Sequence, residues 1–363
     1  MKNKLQKYFP LFLFIPLGIV TFVFPISTNS QGLWNMGETI EFLETATKHS
    51  PENEGQSLSV KIIENLKINL QDGLHNIRIW IPLASDNKFQ SIESLKIKTA
   101  ENYKIIKDPD FNNDILFIDI NNYTKTAGTE STYNSSFEIE WEYEIKRKEQ
   151  NGFSTDSDFI PKNISTELYL QERGYIIIDD RIREIAKTVT AGISDSHKKA
   201  KAIYDYVLTH VDYDTSIPGW GKGDVVYACE VGKGNCTDFH SLFISLARAA
   251  DIPARFRIGY PIPFEQKGKL LKPYHCWAEF FIEGKGWAPV DISEAWKDPD
   301  KVDYYFGNLD KDRVLISTGR DINLLPGDEN VPLANYLVKP YIELDGKSYD
   351  SFKIERSFNK LKN

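Results

Sequence analysis

The chain has only three cysteines, Cys229, Cys236 and Cys276, in 363 residues. That is too few for a disulfide scaffold, so the fold must be held by an apolar core. The paired Cys or His spacings of a zinc site are missing, and no cofactor motif is found, so neither metal nor cofactor is expected. Positive charge is also in deficit, with 44 Lys and Arg against 52 Asp and Glu and a formal net charge of -8. No basic stripe interrupts that balance, which argues against a nucleic-acid partner and leaves peptide or protein substrates open. Internal repeats and low-complexity tracts are lacking. What is present, 41% hydrophobic and 13% aromatic residues, is enough to fill two cored domains.

The one long apolar run, Tyr8 to Ile26, follows Lys2, Lys4 and Lys7 and precedes the small residues Thr28 and Ser30. This pattern predicts an export segment over residues 1–30, with a cut near Gln31. An uncleaved membrane anchor is the alternative, weakened by Pro10, Pro16 and Pro25 within the run. In either case the protein is expected outside the cytoplasm, after a linker over 31–56.

From 57 to 148 the pattern changes to short alternating runs. Phe137, Ile139, Trp141, Tyr143 and Ile145 interleave with Glu138, Glu140, Glu142 and Glu144, the signature of a half-exposed strand whose acidic face meets solvent. HNIRIWIPL and NNDILFIDI add strands, so this region is expected to be an antiparallel β-sandwich. Residues 149–170, with Asn151, Gly152 and Pro161, form a second expected linker. A further domain is expected over 171–363. It begins with an amphipathic helix over 194–211 built on Ala200, Ile203, Tyr204, Val207 and Val211. YYFGN and NYLVKPYIEL, beyond the last motif, are expected to supply closing strands of this second domain.

Three segments of that domain carry chemistry. In GNCTDFHSLFISLARAADIPARFRIGY, Phe239, Leu242, Phe243, Leu246, Ala249 and Ala250 recur at helical spacing. Asn235 is a good N-cap and Asp238 stands three residues later, a variant capping box that puts Cys236 at the first helical position. Free N–H groups and the helix dipole favour a thiolate there. Gly232 and Gly234 would admit a substrate backbone. YHCWAEFFI reads as a strand with His275, Trp277, Glu279 and Phe281 on one face and Cys276 on the other, directed into the core. GWAPVDISEAW gives a second strand ending near Asp291. Direct opposition of His275 and Asp291 needs a hairpin loop of Ile282 to Gly284, with Gly284 at positive φ. The rival loop, Gly284 to Gly286, leaves Asp291 about 13 Å along the strand unless a bulge intervenes.

These segments resemble the core of the transglutaminase-like superfamily, whose fold is similar to that of papain-type cysteine proteases. The resemblance covers about residues 195 to 320. It implies an α+β, papain-like catalytic domain with Cys236 as nucleophile, His275 as general base and then acid, and Asp291 as the group that orients the imidazole. Thiol chemistry alone asks for the same roles, because a thiol needs a base and the base needs a partner that fixes its tautomer. The expected reaction is acyl transfer from an amide, with hydrolysis by a peptidase or amidase placed ahead of cross-linking by a transglutaminase. A non-catalytic binding or envelope-structural protein is the competing class. His240, one turn beyond Cys236, is the rival base, and Trp220 and Tyr227 are the aromatic residues near enough in sequence to serve an oxyanion.

Overall fold

The computed structural model describes residues 57–70, 74–121, 123, 135–153, 166–270 and 272–362. The expected export segment, the expected 31–56 linker and most of the expected 149–170 linker lie outside these. Among the described residues no helix is long and apolar enough to cross a membrane.

The chain opens with β1 (Ser57–Leu70), β2 (Asn76–Leu83), β3 (Gln90–Lys98), β4 (Lys104–Lys107), β5 (Asp114–Asn121) and β6 (Ser135–Lys148). Next come β7 (Gln150–Asn151), α1 (Asp180–Val189), α2 (Ser196–His210), β8 (Asp212–Tyr213), α3 (Val225–Val231), β9 (Lys233–Gly234) and α4 (Cys236–Ala249). Then follow β10 (Ala254–Pro261), β11 (Lys267–Lys269), β12 (His275–Ile282), β13 (Gly286–Val290), α5 (Ile292–Lys297), β14 (Asn308–Leu309) and β15 (Arg313–Thr318). The chain closes with β16 (Tyr341–Leu344), β17 (Lys347–Ser348) and β18 (Phe352–Lys360).

The fold is α+β, a helical and β core preceded by antiparallel sheets. In the sandwich one sheet runs β11-β18-β1-β6-β3 and the other β17-β16-β2-β5-β4. Alternation explains their faces: Ile139, Trp141, Tyr143 and Ile145 of β6 turn inward with Val60, Ile62 and Leu66 of β1, against Ile77, Ile79 and Ile81 of the facing sheet. The acidic residues of β6 do face outward, but they are met by lysines on the neighbouring strands. Glu138 pairs with Lys67, Glu140 with Lys98, and Glu142 and Glu144 with Lys61.

The C-terminal strands differ from expectation. The core sheet is ordered β13-β12-β10-β15, YYFGN supplies only the start of β14, which pairs with β7, and β16 from NYLVKPYIEL belongs with β17 and β18 to the sandwich. β18 pairs with β1 from Val60↔Lys360 to Ile68↔Phe352, covering an edge that would otherwise present unpaired backbone groups. Periodicity reports that a segment is a strand but not which distant strand it joins. The segment expected to be a linker is also engaged where described: β7 pairs with β14, and a Cβ on Gly152 would lie 2.5 Å from Ala288 Cα.

α4 is the central element of the core. Every residue from Cys236 to Arg248 is buried, because α1, α2, α3 and α5 pack around it together with β10 and β12. The sequence shows one apolar face, and the structure covers the polar face as well by giving its side chains partners. Arg248 donates to Ala254 O, and Ser241 Oγ accepts from Arg320 at 2.6 Å.

Sandwich and core are joined by buried polar contacts. Arg147 of β6 donates to Arg313 O of β15 at 2.6 Å. Glu64 of β1, fully buried, accepts from Trp141 Nε1 at 3.0 Å, from Tyr260 Oη of β10 at 3.0 Å and from Arg356 Nε of β18 at 2.6 Å. Removing that carboxylate strands a buried guanidinium and two donors. Glu64→Ala should therefore lower the unfolding free energy by about 3–5 kcal/mol, read from urea midpoints, with Glu64→Gln falling between it and wild type. A loss below about 1 kcal/mol would show that the network does not couple the two parts.

Candidate active site

The first turn of α4 is fixed by a reciprocal cap. Asn235 Oδ1 accepts the Thr237 N–H at 2.8 Å, and Asp238 Oδ2 accepts the Asn235 N–H at 2.9 Å. Cys236 is the first helical residue, so its own N–H has no acceptor within the helix. Asp238 also reaches outside the helix, accepting the N–H of Gly221 at 2.7 Å and of Gly223 at 3.0 Å. Burial pushes its carboxyl up to about 6 against these three donors. The clamped loop turns through Gly219, Gly221 and Gly223, all at positive φ, and presents Trp220, which is 40% exposed. The glycines just before the nucleophile do not serve substrate approach in the expected way. Gly234 makes room for Asp238, whose Oδ2 would lie 2.4 Å from an added Cβ, and Gly232 is the left-handed cap of α3 with φ 64°.

β12 brings His275 to this helix start, and His275 Nε2 donates to Asp291 Oδ2 at 2.7 Å. Asp291 leaves β13 as the N-cap of α5, and its Oδ1 accepts from Glu294 N–H and Ser293 Oγ, each at 3.2 Å. With Nε2 committed to the carboxylate, Nδ1 is the ring nitrogen left to serve Cys236. Two effects set the charges. The Cys236 thiol is held well below its usual range by hydrogen bonding from Cys276 and by His275, against the opposing effect of burial. Burial alone would depress His275, but the Asp291 charge and hydrogen bond, with Cys236, outweigh it and raise the imidazole to about 9. These shifts favour a thiolate on Cys236 and an imidazolium on His275, with the Asp291 carboxylate beside the imidazole. Arg313, buried on β15, stands 3.9 Å from Asp291 Oδ2 and 3.4 Å from Glu294 Oε2, a cation behind the two acids.

The hairpin register is neither of those expected. Ile282 pairs with Gly286 and Ala278 with Val290, so the loop is Glu283 to Lys285, centred on Gly284. Gly284 is at φ 74°, but the turn does not set Asp291 opposite His275. Continuing the register would set it opposite Trp277, on the same face as His275 and diagonal to it, a separation that His and Asp side chains span. The turn of the chain into α5 completes the approach without a bulge.

His240 stands in another role than base. Its Nδ1 donates to Cys236 O at 2.7 Å, and its Nε2 accepts the Ile292 N–H at 3.0 Å. Both ring nitrogens are therefore used, the tautomer is fixed, and burial lowers the pKa so that the ring stays neutral. His240 ties the helix start to the N-terminus of α5, and with it to Asp291. Cys276 is fully buried and faces α4 as expected, but this part of the core is the nucleophile's own surroundings. Its Sγ lies 3.6 Å from Thr237 Oγ1 and 3.9 Å from His240 Nδ1. Tyr227 directs its hydroxyl to Ile217 O at 3.4 Å, bracing the glycine loop. Asp238 as loop clamp, Arg313 and Tyr274, whose hydroxyl accepts from Asn235 Nδ2 at 3.1 Å, are site residues the sequence motifs did not single out. Only Asp238 had a signal, as the capping acid.

Residues 183–292, which include Cys236, His275 and Asp291, match the model of the transglutaminase-like superfamily. An uncharacterised protein of Haemophilus influenzae is 27% identical over 312 residues, covering 76% of this chain and 82% of that one. The YebA protein of Bacillus subtilis is 25% identical over 153 residues, 37% of this chain but 21% of its own length. A crystal structure from Cytophaga hutchinsonii, described as that of a candidate cysteine protease, superposes with TM-score 0.53 at 18% identity, covering 85% of this chain and 92% of that one. This last similarity concerns the fold.

The two histidines separate experimentally. His240→Ala leaves the buried Ile292 N–H unpaired and should destabilise by about 1–3 kcal/mol, while the pH at which Cys236 is half-alkylated by iodoacetamide stays near the wild-type value. His275→Ala should raise that pH towards that of an ordinary thiol, with a smaller loss of stability. The opposite pattern would make His240 the partner of the thiolate.

Proposed function

From the premise of a transglutaminase-like core on an α+β fold, we propose that this chain is an exported thiol-dependent enzyme that hydrolyses an amide bond in a peptide or protein. The observation that carries this reading is the His275–Asp291 bond of 2.7 Å next to a thiol at the first position of a buried helix. The Cys236 thiolate attacks the amide carbonyl, and the oxyanion is held by the Cys236 N–H. His275 Nδ1–H gives its proton to the departing amine, leaving a thioester on Cys236. The same nitrogen then takes a proton from water, whose attack releases the acid and restores the pair. Asp291 keeps Nε2 protonated throughout and favours the imidazolium. Hydrolysis is preferred to amine transfer because no dedicated amine site is evident among the described residues. Placement outside the cytoplasm rests on the lysines and apolar run of residues 1–30.

Cys236→Ala should lower turnover by about 10⁴-fold or more with the fold retained, since the residue changes by one sulfur. Incubation of the full chain with a peptide library, acid quenching and mass spectrometry should find an acyl group on Cys236. Adding a primary amine should leave the acid as the main product; a predominant amide product would make the enzyme a cross-linker. Retained activity in Cys236→Ala would place the chemistry elsewhere.

The charges also fix a pH dependence. His275 must carry its proton to protonate the leaving amine, so turnover should fall as pH rises through about 9. On the acid side activity should persist below the range where an ordinary thiol would be protonated, because the Cys236 thiol is held low. Asp291→Ala should move the alkaline limb to lower pH and reduce turnover, with Asp291→Asn less damaging because its Oδ1 still accepts from Nε2. An unchanged alkaline limb in Asp291→Ala would reject the orienting role.

A further inference from the structure

The reaction above has no step for Cys276, although this thiol is fully buried beside the nucleophile. β12 turns the side chains of His275 and Cys276 to opposite faces, and the packing of β12 on α4 brings both to the first turn of that helix. Cys276 Sγ touches Thr237 Oγ1 and His240 Nδ1, groups one and four residues beyond Cys236, and the two thiols shift one another's titration, Cys236 downward and Cys276 upward. Solvent access is unequal: Cys236 is 4% exposed and Cys276 fully enclosed, so a small solute meets Cys236 first. The third cysteine, Cys229, is on α3, and burial pushes its thiol up.

We propose that Cys236 and Cys276 are a peroxide-reactive pair, in which Cys236 is oxidised first and Cys276 captures it as a reversible disulfide. This rests on the reading of Cys236 as an active-site thiolate. In the first step the thiolate attacks one oxygen of a hydroperoxide, an S–O bond forms and the O–O bond breaks. Cys236 becomes a sulfenic acid, and the other peroxide oxygen leaves as alkoxide or hydroxide and takes a proton. In the second step Cys276 sulfur attacks the sulfenyl sulfur, the S–S bond forms, the S–O bond breaks, and the departing hydroxide leaves as water with the Cys276 proton. The two sulfurs together lose two electrons and the peroxide gains two. The disulfide removes the nucleophile from acyl transfer and keeps it from the irreversible sulfinic and sulfonic acids.

The test uses the full reduced chain, a few equivalents of hydrogen peroxide, alkylation of remaining thiols, and non-reducing peptide mass spectrometry. The expected product is a peptide pair linked through Cys236 and Cys276, with Cys229 alkylated, and dithiothreitol should restore iodoacetamide labelling of Cys236 to its starting extent. Cys276→Ser should convert Cys236 to sulfinic acid, and labelling should not return. Cys229→Ser should still form the linked pair. Wild-type protein with Cys236 as sulfinic acid and Cys276 as a free thiol would overturn the inference while leaving the nucleophile reading intact. A Cys236 that reacts with neither peroxide nor iodoacetamide at neutral pH would overturn both. The wild-type product decides the matter even if Cys276→Ser does not fold.

Discussion

One carboxylate, that of Asp238, holds the part of the protein where chemistry is placed. It accepts three backbone N–H groups, from Asn235, Gly221 and Gly223, and thereby fixes both the start of α4 and the loop that passes over it. An unpaired buried N–H is costly, so each donor has reason to stay, and the loop cannot lift without exposing two of them. The capping acid of an ordinary helix satisfies one group. This one ties the nucleophile's backbone to the walls around it, and Gly234 is small because the carboxylate lies where its Cβ would be.

The parts of this arrangement legible in the sequence are those encoded locally. The N-cap at Asn235, the position of Cys236, the strand bearing His275 and the alternation in β6 follow from spacing and side-chain chemistry over a few residues. What the sequence hid depends on distant partners. The register of β12 and β13 is two residues away from either expected pairing, its turn centre lying one residue from each, because two glycines, Gly284 and Gly286, offer several turns of similar ease. Asp291 still meets His275 because residues two apart on neighbouring strands share a face, so this contact tolerates a wrong register. His240 carries the same chemistry as His275, and only the placement of one acceptor, Cys236 O, and one donor, the Ile292 N–H, shows that its ring is fully occupied. The destination of β18 lies nearly the whole chain away, beyond any local pattern.

Polar burial in this protein follows the joints between its parts. Glu64 connects two strands of the sandwich with Tyr260 of the core sheet, Arg147 carries β6 to the backbone of β15, and Arg320 ties Ser241 of α4 to Asn335 and the Lys222 carbonyl. Apolar contact at these places would give area without direction. Hydrogen-bonded charge gives a single alignment, at the expense of desolvation that only complete pairing offsets. Cys236 lies between such joints, on a helix whose polar side is occupied from one end to the other.

The pairing of β18 with β1 also bears on the order in which the molecule can be made. A chain emerges from the ribosome from its N-terminus, so β1 is available long before residues 352–360 exist to lie beside it. Through that interval the sheet has an open edge at β1, and the guanidinium that neutralises Glu64 has not been synthesised. α4, β12 and β13 can assemble around Cys236 in the meantime, since their contacts are made among residues already present. Residues 352–360 are thus the ones that complete the sandwich and pair the carboxylate linking it to the core.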